Sequence, residues 1–277
     1  MLNTKLEPFL KDSSSETKAY EDLGFLHSSY SRAIRLQAEY LKPEMAMQHY
    51  HINSTIVVFG SARTLSHEEA ETNLINAKNA LQENPDSSAL KQQLKLAKTR
   101  MKESKYYTMA REFGTIVGNY DQNSNDGYDF IVVTGGGGGI MEAGNRGAKE
   151  SGSVTIGLNI TLPFEQHPNP YITKNLLFNF HYFNMRKMHF MSRAKALGCF
   201  PGGFGTMDEL FEALTLIQTK KIPQIPVILF GHEYWHKIIR WDFFVERGLI
   251  TKEDLELIHI CDSAEDGWNI IKQFYKL

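Results

Sequence analysis

Apolar positions along the chain fall into two alternating rhythms: short unbroken runs, and faces spaced for a helix. The unbroken runs predict strands at residues 56–59, 130–134, 155–158, 196–200, 226–230 and 258–261. Continuous apolar character, rather than strict alternation, suits strands buried on both faces of a parallel sheet. Ala33, Leu36, Tyr40 and Leu41 predict a helix from residue 20 to about residue 47, with Pro43 interrupting it. Ser66 and Glu69 have the spacing of a capping box, and Leu74, Ala77 and Leu81 share the helical face that follows. Asn84-Pro85-Asp86 breaks that helix, and Leu90, Leu94, Ala97 and Met101 mark a second face running on toward Val117. Residues 66–105 are therefore expected to form a helical hairpin within the first crossover, either a dimerisation arm or a solvated pair packed locally. Further helices are expected from Ile140, over 182–194, from Met207 to about Lys220, from about Glu233 and from Ser263. A polar, proline-bearing loop is expected over 163–173, and a frayed polar stretch before residue 20.

Strands alternating with helices predict an α/β fold, a Rossmann-like doubly wound parallel sheet. The expected organisation is an N-terminal helical extension over 1–50, then one nucleotide-binding domain over 51–277 that carries the hairpin. A formal charge of -2 removes the electrostatic case for a nucleic-acid polymer, while leaving room for a local site for one small anion. No apolar run approaches the roughly 20 residues that span a bilayer, and the first residues lack the apolar core of a signal peptide. A cytoplasmic protein with no membrane partner is the expectation. The two cysteines, Cys199 and Cys261, each adjoin an apolar run and read as small buried hydrophobes rather than metal ligands. Neither a metal nor a cofactor is expected.

Three glycine-bearing turns follow predicted strands: Gly60-Ser61, the run Gly135 to Gly139 (with Gly136, Gly137 and Gly138 at its centre), and Gly202-Gly203-Phe204-Gly205-Thr206. In a parallel sheet all strand C-termini lie on one edge, so such turns converge. Glycine lets backbone approach a ligand, and the following helix offers free N–H groups and a partial positive charge, which together suit phosphate. The dinucleotide pattern G-x-G-x-x-G fails at Ile140 and Glu142, and the P-loop pattern is absent. A mononucleotide fits better. Thr206-Met207-Asp208-Glu209 has capping-box spacing, so Glu209 reads equally as a helix cap or a catalyst. Arg186-Lys187, among methionines and aromatics, reads as a solvated face or a salt bridge, or else Arg186 grips a phosphate or a purine edge in bidentate fashion.

The run Pro201-Gly202-Gly203-Phe204-Gly205-Thr206-Met207-Asp208-Glu209 matches P-G-G-x-G-T-x-x-E. With Arg186-Lys187 upstream and Gly135 to Met141 as a first glycine loop, the chain resembles the LOG (Lonely Guy) family of nucleoside monophosphate phosphoribohydrolases, long mislabelled as lysine decarboxylases. The resemblance spans roughly 55–230. It implies a Rossmann-like dimer that splits a nucleoside 5′-monophosphate such as AMP into free base and ribose 5-phosphate. Arg186 and Glu209 would be the catalytic pair. Gly60, Ser61, Gly136, Gly137, Gly138, Gly139, Met141, Glu142, Lys187, Gly202, Gly203, Gly205 and Thr206 would hold the substrate and its phosphate. The N-terminal extension and the hairpin depart from compact members and are similar to a longer bacterial-type branch, so cytokinin specificity is not carried over. A nucleotide or phosphorylated-cofactor carrier without chemistry is the alternative, and a pyridoxal-phosphate decarboxylase a weaker one.

Overall fold

Strand and helix alternate from Thr55 to the end of the chain in the computed structural model, which describes residues 16–121, 127–161 and 167–277. Expectations for residues 1–15 and for 162–166, within the proline-bearing loop, lie outside the described residues. The strands are β1 (Thr55–Phe59), β2 (Ile131–Thr134), β3 (Thr155–Ile160), β4 (Leu177–Phe180), β5 (Ala194–Cys199), β6 (Val227–Phe230) and β7 (Ile258–Cys261). They form one seven-stranded sheet in the order β4-β3-β2-β1-β5-β6-β7, and every pairing is parallel. This is the doubly wound α/β architecture read from the sequence. The order reverses between β1 and β5, which opens a crevice beyond their carboxyl ends.

Period-two geometry explains why the runs had to be continuously apolar. Val57 and Phe59 join the core on one face of the sheet, with Phe190 and Leu210. Ile56 and Val58 join the core on the other, with Phe113, Ile140 and Trp268. Helices cover both faces, so no side of a central strand meets water.

The helices are α1 (Leu23–His27), α2 (Arg32–His49), α3 (His67–Glu83), α4 (Ser88–Asp121), α5 (Ile140–Glu150), α6 (Phe183–Ser192), α7 (Phe204–Gln218), α8 (His232–Ile238), α9 (Trp241–Glu246), α10 (Lys252–Leu255) and α11 (Ala264–Tyr275). α3 opens with the Ser66–Glu69 capping box. Together α3 and α4 make the hairpin, and α4 continues into the core through Phe113 and Val117.

Three expectations are corrected. The N-terminal helix is not interrupted at Pro43; the break comes earlier, at a 3₁₀ turn over Ser29–Ser31 that separates α1 from α2, and Pro43 lies inside α2. Its missing N–H would have bonded the Glu39 carbonyl, and that carbonyl instead accepts from His189 Nε2 at 3.2 Å. α7 begins at Phe204, three residues before the expected Met207. β4 is a strand that the sequence reading missed: a short edge strand whose alternating exposure lacks the continuous apolar signature of the others. Among the described residues no helix is long and apolar enough to cross a membrane. Both cysteines are buried and free.

Candidate functional site

The crevice between the ends of β1 and β5 is built by three interlocked turns. Ser61 is their keystone. Its N–H donates to the Pro201 carbonyl at 3.0 Å, and its own carbonyl accepts from Ile140 N at 3.1 Å. Its hydroxyl accepts from Arg63 N at 3.1 Å. Gly139 has a φ of 65°, and a Cβ there would strike the backbone of Ser61 and Ala62. Only glycine permits that approach.

Beneath the five-glycine turn lies a buried amide network. Thr134 Oγ1 accepts from Gly136 N at 2.9 Å and donates to Asn145 Oδ1 at 2.6 Å. Asn169 donates through its side chain to the Gly137 carbonyl at 3.0 Å and to Asn145 Oδ1 at 2.9 Å. Its backbone N–H reaches the Gly136 carbonyl at 2.9 Å. Asn145 also donates to Thr155 Oγ1 and to the Ile156 carbonyl. The N–H and C=O of Gly136 are thus both used in shaping the turn.

A cleft of about 650 Å³ opens above these turns, and Gly60, Ser61, Met141, Arg186, Gly203, Gly205, Thr206 and Glu209 all line it. Other residues named from the sequence lie elsewhere. Gly136 and Gly137 are buried, and Gly138 faces the Ala62 carbonyl. Gly139 holds the turn shut against Ser61. Glu142 accepts from Tyr107 Oη at 2.8 Å, toward α4. Lys187 is held by Asp208 at 2.8 Å and Glu212 at 3.0 Å, and does not line the cleft. Gly202 packs against Thr206, where a side chain would clash.

The sequence reading passed over Arg63, Phe183 and Phe204, which also line the cleft. Phe204 is 96% exposed at the first position of α7. The signal for Arg63 was present, a cation directly after the Gly60 turn. Nothing in the spacing marked the two phenylalanines, because an aromatic at a helix start looks like any other core residue.

Arg186 stands one turn into α6. Its Nε donates to the Leu158 carbonyl at 2.8 Å, and its guanidinium lies 5.2 Å from the centre of the Phe190 ring. A Cβ on Gly135 would come within 2.5 Å of Arg186 Nη2, so glycine there makes room for this side chain. Burial pulls the Arg186 pKa down, and the Glu209 carboxylate opposes that shift.

Glu209 cannot cap α7. Gly203 is the N-cap, and no acidic residue lies in the first turn. Glu209 sits on the second turn and lines the cleft. Burial raises its pKa to about 7, against the lowering pull of Arg186 and Lys187. The N-cap of α7 makes no side-chain cap bond, and the four residues Gly203 to Thr206 at its start line the cleft. A half-buried carboxyl with a raised pKa, a half-buried guanidinium and a helix start without a side-chain cap thus line one cleft. Chemically, such an arrangement suits an anion at one end and a proton transfer at the other. Among the described residues no group of three His, Cys, Asp or Glu is placed to hold a metal ion.

Residues 141–271 match the family model described as "Possible lysine decarboxylase". Among solved structures, the structural-genomics protein TM1055 is 18% identical over 79% of this chain and 99% of its own, with a TM-score of 0.47. The Moco carrier protein from Chlamydomonas reinhardtii is 21% identical over 81% of this chain and 99% of its own, with a TM-score of 0.44. No curated protein sequence matches the chain.

Proposed function

From the membership of residues 141–271 in the LOG family, the one carrying the lysine-decarboxylase label, we propose that this chain is a nucleoside 5′-monophosphate phosphoribohydrolase. It would act in the cytoplasm, as a homodimer, on AMP or a related nucleotide. The observation that carries the reading is the convergence of Glu209, Arg186 and the uncapped start of α7 on one cleft.

The 5′-phosphate binds at the first turn of α7, beside the Gly60-Ser61 turn, where the helix N–H groups and dipole favour an anion. That grip, remote from the reacting bond, sets C1′ of the ribose before Glu209. The C1′–N bond breaks and its electron pair leaves with the base. The ribose gains oxocarbenium character, which the Glu209 carboxylate stabilises. Water adds to C1′ and gives its proton to Glu209, from which it passes to the departing base. Free base and ribose 5-phosphate result. The Nη edge of Arg186 steadies the phosphate or the leaving base, its Nε being committed to Leu158.

The decarboxylase label does not fit this cleft. Pyridoxal phosphate requires a lysine for its Schiff base. The lining residues include none, and Lys187 is bound by Asp208 and Glu212.

The test is incubation with a panel of nucleoside monophosphates and the matching unphosphorylated nucleosides, with detection of free base. Base release from monophosphates alone is expected. Glu209→Gln is expected to cut the rate on the order of 10²–10⁴-fold with folding intact. Tight nucleotide binding with no base released would instead identify a carrier.

A further inference from the structure

The proposed chemistry uses Arg186 on α6 and makes no call on the N-terminal helices, yet α2 commits its polar groups to α6 along that helix's whole length. At the N-terminal end, Glu39 Oε1 accepts from His181 N at 2.7 Å and Glu39 Oε2 from Tyr182 N at 3.1 Å. Tyr182 is the N-cap of α6 and its side chain makes no cap bond, so Glu39 supplies the cap from another helix. In the middle, the Glu39 carbonyl freed by Pro43 accepts from His189 Nε2, and the Tyr40 ring stacks on the His189 ring at 5.7 Å. A carbonyl only accepts, so Nε2 carries the imidazole proton. At the C-terminal end, Glu44 takes both Nη atoms of Arg193, the C-cap of α6, at 2.7 and 2.6 Å. Arg35 Nε donates to Tyr182 Oη at 3.2 Å.

The route to the cleft is short. Tyr182 gives its N–H to Glu39 and its carbonyl to Arg186, whose N–H donates to it at 3.2 Å. The Glu39 carboxylate is therefore one residue, Tyr182, removed from the backbone of Arg186. Arg186 in turn has a narrow seat, with Leu158 on its Nε and Gly135 beneath its Nη2.

We propose that α2 is a splint for α6, and that Glu39 and Glu44 are positioning residues that set how Arg186 enters the cleft. This rests on the reading that Arg186 acts there. Charge-assisted bonds to backbone amides and a bidentate arginine–carboxylate pair are the stronger hydrogen bonds in proteins. Their loss lets the first turn of α6 shift, and small misplacements of a reacting group lower turnover steeply.

The test uses the full chain with Glu39→Gln, Glu39→Ala and Glu44→Gln, and Met45→Ala on the exposed face of α2 as control. Glutamine keeps one acceptor of two and alanine none, so the loss is graded. Glu39→Ala is expected to lower kcat on the order of ten- to a hundred-fold on AMP, with KM nearly unchanged. Glu39→Gln should fall between, and Met45→Ala should match the parent. Amide exchange at His181 and Tyr182 should quicken in the Glu39 variants, and crystal structures of Glu39→Gln and Glu44→Gln should show Arg186 off the Leu158 carbonyl.

Parental kinetics in Glu39→Ala would overturn the proposal, as would a kcat loss matched by the loss of folded protein. So would a Glu39→Gln or Glu44→Gln structure with α6 and Arg186 unmoved. A parent chain that releases no base sinks the hydrolase reading alone, and the exchange rates and crystal structures then decide on the splint.

Discussion

Glu209 carries two demands that pull against each other. Burial holds its pKa near 7, well above the ordinary carboxylate. Because the folded value lies above the unfolded 4.5, the protein bears no penalty for this residue below that pH. The penalty grows as pH rises and is complete above about 7. Two outcomes follow from one number. First, kcat/KM is expected to rise with pH through about 7 and then level, since the proposed role needs the carboxylate; a profile that falls above 7 would make Glu209 the acid instead. Second, Glu209→Gln is expected to stabilise the fold at pH 8, on the order of 2 kcal/mol after solvent screening, and to do little at pH 4. Urea denaturation at the two pH values measures this. The sequence exposed the residue but not this tension. Thr206 to Glu209 has capping-box spacing, and Gly205 is a poor helix former, so the chain reads as if the helix began after it. Tertiary packing overrides that weak preference: α7 starts at Phe204, and Glu209 moves from cap to cleft wall.

Elements were legible to the degree that they are buried on both sides. Every central strand announced itself as an apolar run, and the five-glycine turn marked the end of β2. What the turn does was not legible. Its glycines read as a phosphate cradle, whereas Gly136 and Gly137 spend their backbone groups on a network centred on Asn145, in the helix that follows, and Asn169, far from them in sequence. No local pattern announces that an asparagine in the following helix and another about thirty residues away will shape a turn. Asn145 is fully buried, and its loss takes one hydrogen-bond partner each from Thr134 Oγ1 and the Asn169 amide. Asn145→Ala is therefore expected to cost about 2–4 kcal/mol in urea denaturation. It should also weaken nucleotide binding, because Ser61, Gly139 and Ile140 are built on the same turn. An unchanged midpoint would mean that the network is dispensable to the turn. β4 and the run of α2 through Pro43 were missed for the same reason as the network. Each depends on a partner distant in sequence: β3 for β4, and His189 for the carbonyl that Pro43 leaves open.

At the scale of the molecule, two surfaces compete as the place where copies would meet. The hairpin of α3 and α4 projects from the sheet, but its exposed large apolar residues are scattered, Ile75 and Leu96 among them. Single exposed apolar residues on charged helices are ordinary. The face formed by α6 and α7 differs, because Phe183, Phe204 and Phe211 are all exposed there. Phe204 and Phe211 border one shallow hollow, and Phe183 and Phe204 also line the cleft. Exposed aromatics gathered around one hollow mark an interaction site more often than single apolar residues on a solvated pair of helices do. A homodimer, as proposed, is therefore expected to form through α6 and α7, with the hairpin left free. Phe211→Glu places a charge in that face without touching the lining of the cleft. Light scattering is expected to give a dimer for the parent and a monomer for Phe211→Glu, whereas replacing residues 76–95 by a short turn is expected to leave the dimer intact. If the shortened hairpin gives the monomer and Phe211→Glu the dimer, the hairpin is the arm. The aromatic rim would then answer to the ligand alone, with Phe204 standing free to stack on a planar base at the mouth of the cleft.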